Sequence, residues 1–143
     1  MKRYAGFKLL NVDDHEHNLF TLQSLLQQHM DVEIMNATSG QAALDIAKEN
    51  PDIDLIILDI QMPEMDGFQT ASMLKVHKKT RDIPIIFVTA LTNTTDKIKG
   101  FEAGGIDYVT KPFQPEEINL RVTTHLTIRK LQQQLQEKRT WKV

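Results

Sequence analysis

Five polar residues of this 143-residue chain stand just past short apolar runs: the pair Asp13-Asp14, then Asp59, Thr89 and Lys111. Three carboxylates brought to one place repel each other unless a cation joins them, and a hard divalent ion such as Mg²⁺ suits oxygen ligands. A lysine nearby adds a second positive charge, and a threonine hydroxyl adds a hydrogen-bond donor. Such a set stabilises the equatorial oxygens of a phosphoryl group in transfer. Asp59 can itself be the nucleophile, since carboxylates form aspartyl-phosphates. Taken singly, each residue reads more readily as structure: an Asp ends a strand or caps a helix, Thr suits a strand, and Lys-Pro means little. Their joint placement at the ends of successive runs carries the chemistry.

The elements that must position them alternate. Strand-like runs occupy Phe7–Val12, Val32–Met35, Leu55–Leu58, Ile83–Val88 and Ile106–Val109, and Leu55-Ile56-Ile57-Leu58 is apolar on both faces, as a central parallel strand is. Between the runs, Leu19, Leu22, Leu25 and Leu26 recur at helical spacing, as do Ala42, Ala43, Ile46 and Ala47. Ser39 is a fitting N-cap for this second helix, and Asn50-Pro51 stops it. Further helices are expected over Phe68–His77 and Thr95–Ala103, the latter ended by Gly104-Gly105. A fifth begins at Pro115-Glu116-Glu117, where proline and acids favour a helix start. Five strands alternating with five helices predict an α/β fold, a doubly wound five-stranded parallel sheet covered on both faces. In such sheets the active crevice lies beyond the carboxyl ends of the strands.

Composition narrows the classes. Hydrophobic residues make up 41% and charged residues 25%, which argues for one globular domain rather than a disordered chain. No apolar run reaches membrane-spanning length and no signal-peptide core follows Lys2–Tyr4, so no membrane partner is expected. The chain has no cysteine, which removes disulfides, thiolate metal sites and thiol nucleophiles. A cytoplasmic location fits these features. The net charge of -2 divides into -7 over residues 1–120 and +5 beyond. That basic end is diluted by Gln132, Gln133, Gln134 and Gln136, and it reads as a solvated helix surface rather than a nucleic-acid interface.

Four segments resemble the receiver domain of two-component response regulators. They are Leu9-Leu10-Asn11-Val12-Asp13-Asp14, Leu55 to Gly67 with Asp59-Ile60-Gln61-Met62-Pro63-Glu64-Met65-Asp66-Gly67 at its end, Val88-Thr89-Ala90, and Gly104 to Phe113 with Tyr108 and Lys111-Pro112. The resemblance spans about residues 7–127, and it implies a flavodoxin-like receiver fold. It also implies that Asp59 accepts a phosphoryl group from a phosphohistidine on a sensor histidine kinase or phosphotransfer protein. Asp13 and Asp14 would hold Mg²⁺ with Asp59, and the backbone carbonyl of Gln61 would complete the protein ligands. Lys111 would pair with a phosphoryl oxygen, and Thr89 would move to bond another, with Ala90 leaving room. Tyr108 matches the aromatic that turns inward as the threonine moves, and Lys111-Pro112 matches a cis peptide. Such a protein is not an enzyme in the ordinary sense, catalysing only its own phosphorylation and dephosphorylation.

Some residues depart from that pattern or invite other readings. Asn11 stands where the family has an apolar residue; a buried Asn needs partners, so this strand is expected near an edge of the pocket or locally irregular. His15 and His17 follow the acidic pair but lack a third nitrogen ligand, and they are expected to face solvent at a helix start. Phosphatases with an aspartyl nucleophile followed two residues on by an acid Asp are disfavoured, because Gln61 cannot be that acid.

The last helix runs beyond what a receiver needs. We divide the chain into a receiver over residues 5–127 and a helical extension over 128–143. Ile118, Val122 and Leu126 are expected to face the sheet, while Ile128, Leu131 and Leu135 form a short coiled-coil-like seam. That seam suits a homodimer or a helix leading to an output domain, for which residues 128–143 have no room. A cyclic-dinucleotide enzyme or histidine kinase downstream is a family-level analogy. The alternative function is an aspartyl-phosphate phosphatase with turnover of its own, which would release phosphate continuously.

Overall fold

The computed structural model describes residues 4–90 and 94–141, without the side chains of 94–96 and 139–141. Of the basic residues near the end, the Arg139 side chain and Lys142 lie outside the described residues. The elements follow in strict alternation: β1 (Lys8–Val12), α1 (Glu16–Gln27), β2 (Glu33–Ala37), α2 (Gly40–Glu49), β3 (Leu55–Asp59), α3 (Gly67–Val76), β4 (Ile85–Thr89), α4 (Thr94–Glu102), β5 (Asp107–Thr110) and α5 (Pro115–Trp141). Each expected strand and helix is present. Ile83 falls just outside its strand: Pro84 has no N–H for a ladder, and β4 starts after it.

All strand pairs are parallel and the order is β2-β1-β3-β4-β5. The chain steps outward from β1 to β2, then returns across it to β3, so the crevice of this topology opens between the ends of β1 and β3. Alternate strand residues divide the core. Leu9, Leu55, Ile57, Ile86, Val88 and Val109 pack under α1 and α5 with Leu22, Leu26, Ile118, Val122 and Leu126. Leu10, Ile56, Leu58, Ile85, Phe87 and Tyr108 face the other way, with Leu44 of α2 and Phe68 and Leu74 of α3. β3 is buried along its whole length, which is why its sequence is apolar on both faces.

The starts of α2 and α3 are chemically specified. Ser39 Oγ accepts the Ala42 N–H at 3.1 Å, as expected of an N-cap. Asp66 caps α3 with a reciprocal box: its carboxylate accepts the Gln69 N–H at 2.8 Å, and Gln69 Oε1 accepts the Asp66 N–H at 2.9 Å. The expectation for Asn11 is a strand near an edge of the pocket or locally irregular; β1 does end at the pocket, where Asp13 follows it, but the irregularity is absent. β1 is a regular central strand paired on both sides. Its buried amide is satisfied by donating to the Leu19 carbonyl of α1 at 3.3 Å.

Candidate functional site

Asp13 and Asp14 follow β1, Asp59 ends β3, Thr89 ends β4, and Lys111 follows β5. Parallel pairing therefore sets all of them on the carboxyl rim of the sheet. Asp13, Asp59 and Thr89 are buried. The Lys111 ammonium reaches both buried carboxylates, donating to Asp59 Oδ2 at 3.1 Å and standing 3.4 Å from Asp13 Oδ2. The Lys111 N–H is held to the Thr89 carbonyl at 2.9 Å, which ties the loop after β5 to the end of β4. The Lys111-Pro112 peptide is cis, as the resemblance implied.

Asp59 Oδ1 accepts the Gln61 N–H at 3.3 Å, so the backbone at Gln61 turns back over the carboxylate. Gly67 makes that turn possible. A Cβ there would overlap the Asp59 carbonyl oxygen and come within 2.7 Å of Ile60 Cα. The Met65-Asp66-Gly67 sequence thus has a steric reason: Asp66 caps α3, and Gly67 lets the helix start lie against the end of β3.

One lysine does not balance three carboxylates. Burial and the Asp13 charge together hold the Asp59 carboxyl above its usual range despite the Lys111 hydrogen bond. Burial works against the Lys111 charge, but Asp59 and Asp13 outweigh it and raise its pKa. Asp14 Oδ1 is buried without a hydrogen bond. An unbalanced set of hard oxygen donors with one unsatisfied is what a divalent cation such as Mg²⁺ would complete.

His15 lies closer to this set than its sequence position suggested. It is exposed, as expected, yet its Nδ1 stands 3.2 Å from Asp14 Oδ1 and 3.5 Å from Asp13 Oδ1. The His15 backbone N–H also donates to Asp13 Oδ1 at 2.9 Å. The three residues offer ligand atoms within 4.8 Å of one another. The loop that turns from β1 into α1 produces this grouping, which residue type alone did not signal. His17 is exposed, as expected.

Tyr108 is buried and turned inward. Its hydroxyl donates to the Lys97 carbonyl of α4 at 2.7 Å, and its ring packs against Phe87 and Phe101.

The family model for the response regulator receiver domain matches residues 9–123. The chain belongs to that family. Among curated relatives, the transcriptional regulatory protein SrrA of Staphylococcus aureus is 43% identical over 115 residues, covering 80% of this chain and 46% of SrrA. The receiver thus spans about half the length of the curated relatives it matches. A putative response regulator from Chloroflexus aurantiacus superposes with a TM-score of 0.79 at 36% identity, over 85% of this chain and 98% of that one. Vibrio cholerae chemotaxis protein CheY4 does so with a TM-score of 0.77 at 30% identity, over 85% and 99%. The flavodoxin-like receiver fold and the place in two-component signalling follow. Receivers of this family take Mg²⁺ at an acidic pocket and act as signalling proteins rather than as enzymes on external substrates. Among the described residues, no helix is long and apolar enough to cross a membrane.

Proposed function

We propose that this receiver is switched by phosphorylation of Asp59, the donor being a phosphohistidine on a sensor histidine kinase or phosphotransfer protein. The observation that carries this reading is the Lys111 ammonium bridging Asp59 and Asp13 at the point where the sheet order reverses. In the transfer the Asp59 carboxylate attacks phosphorus, an O–P bond forms, and the N–P bond breaks. The imidazole leaves with the electron pair and takes up a proton. Asp13, Asp14, Asp59 and the Gln61 carbonyl would hold Mg²⁺, which would supply positive charge to offset that of the phosphoryl oxygens. Lys111 releases its grip on Asp59 to pair with a phosphoryl oxygen, and Thr89 bonds another. Phosphorylation adds about -1.5 to -2 charges, enough to redraw the loops after β4 and β5. Tyr108, already inward between those loops and α4, would be held in that position by the movement of Thr89.

The output runs through α5. Ile128, Leu131 and Leu135 remain 44%, 54% and 60% exposed at helical spacing, which supports pairing with a second copy or continuation into an output unit. The relative's description as a transcriptional regulator supports an output on DNA made by a segment other than the receiver, with no direct nucleic-acid contact by the receiver itself. Light scattering and crosslinking with and without phosphorylation test the seam, and monomer under both conditions refutes it.

The first experiment is intact-protein mass after incubation with acetyl phosphate, with and without Mg²⁺, beside Asp59→Asn. The expected result is a Mg²⁺-dependent gain of one phosphoryl mass that the variant lacks, followed by slow self-hydrolysis. A gain retained in Asp59→Asn would refute the assignment. Sustained phosphate release from added substrates would favour the alternative, a phosphatase with its own turnover.

A further inference from the structure

Gly100 sits inside α4, where glycine is the poorest helix former after proline. It is buried, so solvent exposure does not account for it. A Cβ at this position would overlap the Tyr108 hydroxyl and lie 2.7 Å from its ring Cζ. The bare backbone lets that hydroxyl reach across the helix surface to the Lys97 carbonyl, one turn earlier on the same face, at 2.7 Å. Gly105 makes similar room for the neighbouring ring: a Cβ there would overlap Phe87, against which Tyr108 packs at 5.7 Å between ring centroids. Phe101, next to Gly100, closes the outer side of Tyr108 edge-on at 5.5 Å.

We propose that Gly100 is the seat of the inward Tyr108, so that the residue at position 100 sets the balance between inward and outward ring. The inward seat has two supports: the hydrogen bond to Lys97 and contact with Phe87 and Phe101. A methyl group at position 100 removes the space for both. The ring must then swing outward across the α4–β5 surface, or α4 must move off the sheet. Gly100 is therefore a positioning residue for the switch proposed above, and this inference rests on that reading only for its signalling consequence. The steric basis stands by itself.

The chain has two tyrosines, Tyr4 and Tyr108, so Tyr4→Phe leaves Tyr108 as the sole site for 3-fluorotyrosine. Fluorine NMR with a soluble gadolinium chelate then reports the exposure of that ring without any need for phosphorylation. The expected result is a protected ring in the Tyr4→Phe protein and an accessible one in Tyr4→Phe/Gly100→Ala. The inward-to-outward ratio should fall roughly tenfold, a typical conformational coupling. Thermal unfolding supplies the second arm: Gly100→Ala should destabilise when Tyr108 is present and be neutral or stabilising in a Tyr108→Ala background. Equal protection of the ring with equal stability overturns the proposal. So does the same destabilisation in both backgrounds. Phosphoryl transfer to Asp59, followed by mass, should be unchanged in Gly100→Ala, which separates failure of this inference from failure of the phosphorylation reading.

Discussion

Asp59 is a carboxylate buried beside a second carboxylate, and the Lys111 charge does not fully compensate the pair. Its carboxyl is held above the ordinary value of 3.8, chiefly by burial and then by Asp13. A carboxyl whose folded pKa exceeds its unfolded one keeps its proton more readily in the folded state. Its contribution to stability is greatest in acid and falls as pH rises from 3.8 through the raised value. In Mg²⁺-free buffer at neutral pH, Asp59→Asn should therefore be more stable than wild type by roughly 1–3 kcal/mol, with the gap closing in acid. Mg²⁺ at a hundredfold excess over its Kd should stabilise wild type by about 2.7 kcal/mol, and the variant far less. Urea midpoints measure both effects, and a wild type indifferent to Mg²⁺ would remove the cation from the site. Thr89 acts later. Thr89→Ala should accept the phosphoryl group normally yet weaken the dimerisation or partner binding that follows by roughly fivefold or more. Equal activation of mutant and wild type would sink that role.

Elements matter here chiefly through their ends. The strands lend the site their carboxyl termini, and the α3 start lends it a turn that brings Gln61 back over Asp59. Asp66 and Gly67 hold that turn, one by capping and the other by having no side chain. Gly67→Ala should cost about 1–3 kcal/mol as an overpacking change, since the obstructing atoms are backbone. It should also lower the yield of phosphorylated Asp59, because relief of the clash moves the loop. Chemical denaturation and intact mass check the two effects, and unchanged values for both would show that the turn relaxes freely.

The whole molecule shows how the long helix is joined to the sheet. Asp54, at the opposite end of β3 from Asp59, is buried, and its Oδ2 accepts the Lys8 N–H at 2.9 Å. Its Oδ1 accepts from Gln133 Nε2 at 3.1 Å, with Arg129 Nε looser at 3.9 Å. The helix is thus pinned to the base of the sheet past the last core residue, Leu126. Asp54→Ala should cost about 1–3 kcal/mol and speed amide exchange over residues 129–135, while leaving Asp59 able to accept phosphate. Unaltered exchange there would mean that Ile118, Val122 and Leu126 hold the helix alone.

The alternation of elements and the placing of Asp13, Asp14, Asp59, Thr89 and Lys111 at strand ends were determined by the sequence alone. Hydrophobic periodicity and chain-order topology are local and countable, and a parallel sheet converts sequence order into a shared rim. Other features were decided only by tertiary structure, because each depends on a distance between elements that no local pattern encodes. Asn11 needed the Leu19 carbonyl to be a satisfied core residue. Asp54 and Gln133 are 79 positions apart yet share a hydrogen bond. Gly100 reads in sequence as a weak spot in a helix; only with Tyr108 packed across it does its missing side chain become the space that the ring occupies.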